Sequence, residues 1–505
     1  MKKISPVIVT LILLLFTSIN YDNKIFTPHF VDEEDNIVLG TYLLKGEKLY
    51  KDLFSHHQPL AYIISAGIQK NTKPNSIFLL IKRHREFIIA WSFIWSLILV
   101  ARFGLPLFLF VTIYELTKIF LFGNLFLSEP LGVYPLIYLV TILLTKKIIP
   151  KIELVVIGAC LSIVGFLLSA LWPLLILIFS VIMYRQQNRP ESAGLILLGT
   201  LPICLLISFF ISLPEYFSYA YFINFNYYIP VTNRDPWILN LFEAFAAPVL
   251  SFFSLVKDSQ ILLVIRLVSF LMIMNIIFLL RTRVVELSVL IFFILGLSNL
   301  RTGDIGLQYY SGFHTLPWFD LLILIAIFSS INIWKKYDQK LVKSLLISLG
   351  VMIFIFSINI SQKELFKKRD INTDWYINYS RQFDFGQAVN IMKFPNDTLF
   401  VVPDEWLIYW QADINHATRM LNYYAWMSSV PELRNIIEDN FKQNPPTFFY
   451  CDCNGNYFGL EAYFNLYQPV IKDGKETKLL VLKEKFSSLS KEQKKQLNFF
   501  NILVQ

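Results

Sequence analysis

Residues 342–370 read VKSLLISLGVMIFIFSINISQKELFKKRD. The stretch 342–360 is almost unbroken hydrocarbon, and 361–370 is polar with clustered charge. About 20 mostly apolar residues is the length a helix needs to cross a bilayer. A charge at the bilayer centre costs roughly 2.5–3.5 kcal/mol on insertion scales. The decapeptide Ser361–Asp370 therefore marks a border, with membrane before it and water after it.

The same kind of apolar run recurs toward the N-terminus. Candidate spans are 4–20, 86–101, 104–122, 129–145, 152–168, 169–184, 193–213, 260–280, 284–300, 316–334 and 342–360, eleven in all. Gly165 and Trp172-Pro173 favour a break inside 152–184, although one long kinked helix would also satisfy the pattern. Composition agrees. The chain has 505 residues, 55% hydrophobic, 16% charged, with 46 Phe and 25 Tyr. Soluble domains carry about 25% charged residues. A disordered chain, a disulfide-rich secreted module and an ordinary cytosolic enzyme are excluded. The net charge of +8 is spread among loops, with no basic stripe for nucleic acid.

Short loops rich in Lys and Arg stay cytoplasmic. With the N-terminus inside, fourteen Lys/Arg between Lys2 and Lys343 fall in inner loops. Lys82-Arg83-His84-Arg85 is the exception, placed outside. Lys2-Lys3 and Val7–Phe16 also resemble a signal peptide, but Ser18-Ile19-Asn20-Tyr21 is a poor cleavage site, so an uncleaved first span is expected. The expected fold is a polytopic α-helical membrane protein of about eleven transmembrane helices, N-in/C-out. Residues 1–360 form its membrane domain, with a long first outer loop at 21–85, and 361–505 an extracytoplasmic soluble α/β domain.

In that tail, Thr398–Val402, Thr447–Tyr450 and Lys478–Leu482 read as short strands. Ser429-Val430-Pro431-Glu432 has capping-box spacing, and Leu433, Ile436, Ile437 and Phe441 follow at helical spacing. Cys160 and Cys204 lie in spans, and Cys451-Asp452-Cys453 has no second pair to suggest a metal site. Arg266 and Asn275 are the main polar intrusions into spans, and Glu115 with Lys118 can pair on one helix face.

The first outer loop concentrates polar residues. Asp32-Glu33-Glu34-Asp35 is a run of four carboxylates, and Ser55-His56-His57-Gln58 holds two of the six histidines. Read alone, the acidic run is a solvated helix start. With Leu43, Leu44, Leu60, Ile63 and Ile64 interleaved, the loop can lie on the membrane surface and present carboxylates and imidazoles.

The order Asp32-Glu33, then Gly46-Glu47-Lys48-Leu49-Tyr50-Lys51-Asp52, then His57-Gln58-Pro59-Leu60 resembles the polytopic glycosyltransferases that use lipid-linked sugars. This GT-C superfamily includes protein O-mannosyltransferases, aminoarabinose transferases of lipid A and rhizobial galacturonosyltransferase-like proteins. Ser128-Glu129-Pro130-Leu131 and Gln308-Tyr309-Tyr310 with His314-Thr315-Leu316-Pro317 are similar to later family elements, and the tail is also alike. Two departures are Tyr309, where the family often has His, and Ala170-Leu171-Trp172, which lacks a frequent Lys.

The resemblance implies inverting transfer of a sugar from a polyprenyl-phosphate donor to an acceptor hydroxyl on a glycan, lipid or protein, at the outer face of the cell membrane. It makes Asp32 the general base, with Glu33 orienting the acceptor or binding a cation. His56, His57, Arg83 and Arg85 are the expected partners of the leaving phosphate. Glu129, Tyr309, Tyr310 and His314 are candidate sugar contacts, and Asp32, Glu33 and His57 candidate ligands for a divalent metal. The plain alternatives are helix-dipole compensation for Glu129, headgroup contact for the arginines and interface placement for the tyrosines. The competing function is a transporter or lipid flippase, which would place ionisable groups near mid-bilayer.

Overall fold

The computed structural model describes residues 4–145, 148–232, 237–253, 260–281, 283–301, 312–337, 339–452 and 459–503. Contacts divide the chain into two compact units. The first comprises 1–25, 85–206 and 235–370, and the second 26–84, 207–234 and 371–505. The second unit thus begins close to the expected border at its C-terminal part. It also takes in most of the first outer loop and the segment after residue 206, which the linear division places with the spans.

The first unit is helical. Among the described residues, six helices are long and apolar enough to cross a membrane: Ile77–Phe103, Ser128–Thr145, Arg189–Phe210, Leu262–Arg281, Gly312–Lys336 and Lys340–Lys363. At 1.5 Å per residue the first of these reaches about 40 Å, against a hydrocarbon core of about 30 Å. Ser128–Thr145 and Leu316–Lys336 are inner helices, with Glu129 to Leu143 and Leu316 to Ala326 buried throughout. Outer helices instead expose large apolar residues, among them Ile12 and Ile19, Leu197 and Phe209, and Leu341 and Val351. Such a surface suits lipid rather than water.

Residues 152–184 divide as anticipated, into Lys151–Gly165 and Trp172–Arg185. A helix missing from the eleven spans is Trp237–Leu250. Its 14 residues fall below spanning length, which is why a 20-residue criterion passes over it.

Close packing here depends on small residues. A Cβ on Gly199 would lie 1.9 Å from the Val155 carbonyl oxygen, and one on Gly158 2.0 Å from that of Ile196. Thr200 Oγ1 donates to the Gly158 carbonyl at 3.2 Å across the same crossing. The polar intrusions are likewise structural. Asn275 Nδ2 donates to Ser329 and Ser330 at 2.9 Å each, and Arg266 Nε to the Ser251 carbonyl at 2.9 Å.

The second unit contains a six-stranded sheet. Its strands are β1 (Thr398–Val402), β2 (Asn415–His416), β3 (Phe448–Cys451), β4 (Tyr467–Lys472), β5 (Lys475–Leu482) and β6 (Ile502–Leu503), in the order β2-β1-β3-β5-β4-β6. β1 is parallel to β2 and β3, and the remainder is antiparallel. Successive strand residues face opposite sides. Phe449 accordingly meets Phe441 of helix Pro431–Gln443 at 5.3 Å, while Tyr450 meets Phe385 of helix Ile371–Met392 at 5.8 Å. The expected capping box at Ser429 is absent. Val430 is the N-cap, Ser429 Oγ donates to the Trp426 carbonyl at 2.6 Å, and Glu432 accepts from Tyr219 and Arg419.

The first-loop segment is joined to this sheet. Tyr42 Oη donates to the Ile414 carbonyl at 2.6 Å, and the Phe54 amide to that of Arg419 at 2.7 Å. The amide of Leu49 donates to the Phe210 carbonyl at 2.9 Å.

Candidate functional site

The acidic run opens helix Val31–Leu44. Asp32, Glu33 and Glu34 occupy its first turn, where the helix dipole favours negative charge. Apolar Ile37, Val38 and Leu39 then bury it. Gly40 lets it approach helix Leu60–Thr72, since a Cβ there would be 2.5 Å from Ser65 Oγ. Gln69 Nε2 completes the junction by donating to the Ile37 carbonyl at 2.8 Å.

This run is not a uniformly solvated helix start. Glu33 and Glu34 are buried, whereas Asp32 and Asp35, three residues apart on one face, keep partial access to solvent. Asp35 accepts a hydrogen bond from Tyr62 Oη at 3.0 Å. Tyr62 lies 2.8 Å from Ser55 Oγ, which accepts from the His57 amide at 3.0 Å. The acidic helix and the histidine loop are thus linked through two side chains. Burial, augmented by the charge of Asp32 and opposed by the Tyr62 bond, pushes the Asp35 carboxyl up to about 8.

His56 and His57 sit half-buried among rings. Their centroids are 3.9 Å apart, and His56 lies 4.8 Å from Tyr228 and 5.1 Å from Trp426. Asn224 Nδ2 fixes the loop by donating to the His56 carbonyl at 2.6 Å, and Tyr50 Oη does the same at His57 at 2.7 Å. Flat aromatic faces beside polar atoms form an amphipathic wall suited to a sugar ring.

The sheet contributes more carboxylates, from residues the sequence reading did not nominate. Asp404 and Glu405 follow the C-terminal end of β1, and Asp452 that of β3, its amide donating to the Val402 carbonyl at 2.8 Å. Burial, then the charge of Glu34, raises the Asp404 carboxyl to about 6, with His29 opposing. Burial also holds the Tyr424 phenol well above its ordinary range, and Asp404, Asp32 and Asp35 add to this. His29 pairs with Glu34, and Arg381 with Glu405. The available signal was the buried strand Thr398–Val402 running into Pro403-Asp404-Glu405, acids at the end of a parallel strand.

Other nominated residues belong to the first unit. Glu129 opens helix Ser128–Thr145, and its Oε1 accepts from Arg301 Nη1 at 2.9 Å and lies 3.1 Å from His314 Nδ1. Two positions chosen from separate motifs therefore meet directly, and Arg301 joins them on the same Glu129 oxygen. Tyr309 and Tyr310 lie outside the described residues. Glu115 and Lys118 pair as expected, at 2.7 Å and both buried, with Tyr134 Oη donating to Glu115 at 2.6 Å.

The basic run at 82–85 divides. Arg83 is exposed, His84 is buried against Ser65 at 2.9 Å, and Arg85 is buried with Nη1 donating to the Ile25 carbonyl at 2.9 Å. His84 and Arg85 are thus taken up inside the structure, while Lys82 and Arg83 keep solvent access. Among the described residues no three His, Cys, Asp or Glu side chains are grouped to hold a metal ion, Asp32, Glu33 and His57 included. The first unit also has a groove of about 500 Å³ between helices Ile4–Asp22 and Ile77–Phe103. Leu15, Ile19, Ile89, Phe93 and Ile94 line it, with Asp22 and Glu86 as its acidic members. No protein-family model, curated protein or solved structure matches the chain.

Proposed function

We propose that this chain is an integral membrane glycosyltransferase that moves a sugar from a polyprenyl-phosphate carrier to an acceptor hydroxyl, with Asp32 as general base. One observation carries the reading. Immediately after the first apolar helix, a partly solvent-accessible carboxylate is held on a rigid helix tied through Tyr62 and Ser55 to the aromatic-walled His56-His57 loop. A base must reach its hydroxyl within about 2.6–3.2 Å, which a fixed helix position favours over a mobile loop. Glu33 is buried, so its role is to set the helix rather than to meet substrate. His57 remains the candidate in the second unit for the departing phosphate. The apolar groove beside the first helix is a candidate bed for the prenyl tail.

An extracytoplasmic location has two supports. Cys451 is disulfide-bonded, a state favoured outside the cytosol. Parity is the second. The segments 26–84, 207–234 and 371–505 form one compact unit, and a compact aqueous unit lies on one side of a bilayer. Six apolar helices separate the first two segments, and five separate the second from the third. One of those five must enter and leave on the same face. Trp237–Leu250 and Val285–Ser298, each of 14 residues and about 21 Å long, are the two of the five short enough to do so.

The test is transfer of radiolabelled sugar from a polyprenyl-phosphate donor in membranes containing the protein. Asp32→Asn is expected to lower turnover by about 10²-fold or more, the range of general-base catalysis. Asp439→Asn, on an exposed helix face, is expected to be neutral. Equal activity in both variants would remove Asp32 from the chemistry. The transporter reading draws on the buried Glu115–Lys118 pair, because ionisable groups among apolar helices mark ion paths. It requires sugar-lipid or ion movement that survives Asp32→Asn and stops in Glu115→Gln.

A further inference from the structure

Three residues after the membrane-length helix Arg189–Phe210 ends, a second helical run begins, made of Leu213–Phe217, Ser218–Tyr228 and Ile229–Thr232. Extended backbone at Ser212 separates the two. The Ser212 amide fixes that break by donating to the Leu49 carbonyl at 3.1 Å. Three residues span at most about 11 Å, so Leu213 stays near the level at which the longer helix ends.

The run has two unlike faces. Leu213, Phe217, Phe222 and Phe225 are each more than half exposed, whereas Tyr216, Tyr219, Ala220 and Ile223 are buried. Winding produces this division. Ser218–Tyr228 is a π-helix, whose i→i+5 hydrogen bonds turn the chain less per residue than α winding does. Five residues of α-helix would rotate Phe222 about 140° away from Phe217. The wider winding brings both rings toward one face. The other face is committed to the second unit. Tyr216 Oη donates to Gln58 Oε1 at 2.7 Å, Tyr219 Oη to Glu432 Oε1 at 2.9 Å, and Asn224 Nδ2 to the His56 carbonyl at 2.6 Å.

Chemistry and position decide what meets the exposed face. Residues 207–233 contain no Lys or Arg and a single acid, Glu215. Five tyrosines lie between 213 and 228, and tyrosine concentrates where membrane meets water. A patch built for a protein partner is rimmed by polar residues. Here the exposed apolar surface instead continues, along the chain, that of Leu201, Leu205 and Phe209 on the membrane-length helix. Amphipathic helices of this kind lie in the interface plane with the apolar face about 5–10 Å deep.

We propose that Leu213–Tyr228 docks in a lipid surface through Phe217, Phe222 and Phe225, and that its opposite face positions the His56–His57 loop at that surface through Asn224 and Tyr216. Insertion is apolar and does not select anionic headgroups, because the segment carries no cation to pair with them. The inference rests on the membrane reading of the chain and not on glycosyl transfer, and both readouts below omit turnover.

The test uses the full chain in phosphatidylcholine nanodiscs, with Cys160 and Cys204 replaced by Ser. Spin labels are attached in Phe217→Cys, Phe222→Cys and Phe225→Cys, with Asp439→Cys as the water-exposed reference. The ratio of collisions with oxygen to collisions with a water-soluble nickel chelate is expected to exceed that at the reference by about threefold or more, as for a group below the headgroups. Adding phosphatidylglycerol should leave it unchanged. Hydrogen exchange across residues 54–59 is the second readout. Phe222→Ser combined with Phe225→Ser, and separately Asn224→Ala, are expected to speed it about tenfold while helix Pro431–Gln443 keeps its rate. Asn224→Ala leaves the exposed rings in place, so it carries this readout should the double variant unfold. Labels as open to nickel as the reference would overturn the docking. So would labels shielded from both reagents, which would place a protein partner or a second copy on this face. A ratio that rises only with phosphatidylglycerol would overturn the apolar mode of insertion, and unchanged exchange in Asn224→Ala would overturn the positioning of the loop.

Discussion

Replacing Asp35 by Asn removes a carboxylate whose ionisation the fold opposes, while keeping an acceptor for Tyr62. Burial, with Asp32 adding to it, raises this carboxyl from 3.8 to about 8. Four pKa units at about 1.4 kcal/mol each set a ceiling of roughly 5–6 kcal/mol. Solvent reaches part of Asp35, so screening halves this to about 3 kcal/mol. Below pH 4 the group is protonated in folded and unfolded chains alike and contributes nothing. Between pH 4 and 8 the unfolded chain has released the proton and the folded chain retains it, so folded stability falls as pH rises. Above pH 8 the loss is complete. Asp35→Asn escapes it. Thermal unfolding of the detergent-purified chain, followed by tryptophan fluorescence, is expected to show equal midpoints near pH 4. The gap should open to about 3–6 °C in favour of the variant by pH 8. Parallel curves, or a variant that is less stable at pH 8, would refute the assignment of a strained carboxylate to this position.

Glycine contacts lead to two matched comparisons. Gly199→Ala places a methyl 1.9 Å from the Val155 carbonyl and is expected to lower stability by about 3 kcal/mol, whereas Gly194→Ala meets nothing within 4 Å and should be neutral by thermal melt. Gly40→Ala crowds Ser65 and the Ala66 backbone and should reduce sugar transfer severalfold by displacing the acidic helix, while Gly67→Ala, with no neighbour within 4 Å, should not. For topology, cysteines at exposed positions 231, 253 and 439 should react with an impermeant maleimide in intact cells, and one at 283 only after permeabilisation. Protection of 253 alone would show that Trp237–Leu250 crosses the bilayer. Glu129→Gln removes the charge shared by Arg301 and His314 and should lower transfer by about tenfold, read as initial rate; an unchanged rate would confine Glu129 to a structural role.

Residue order alone carried the architecture in outline. Runs such as 342–360 and 316–334 exceed any soluble core in apolar length, so their helices needed no tertiary information. Thr398–Val402 was legible for the same reason, being a buried strand between polar flanks. Trp237–Leu250 was not, because a short helix packed on neighbours falls below a spanning length set by bilayer thickness.

The candidate site divided in the same way. Asp32, His57, Glu129 and His314 were nominated by the motifs they sit in, and His56 by its place beside His57. Which of the four adjacent acids meet solvent was decided by packing. Gly40 against Ser65 sets the rotation of the helix, burying Glu33 and Glu34 and leaving Asp32 and Asp35 accessible. Partners far apart in sequence, such as His29 with Gln382, Glu34 with Asp404, or Glu129 with Arg301, come together only through the fold. Local pattern reports what a residue is and which water or lipid phase it prefers. Electrostatics falls off over a few ångströms of space rather than along the chain, so the company each charge keeps is a property of tertiary structure alone.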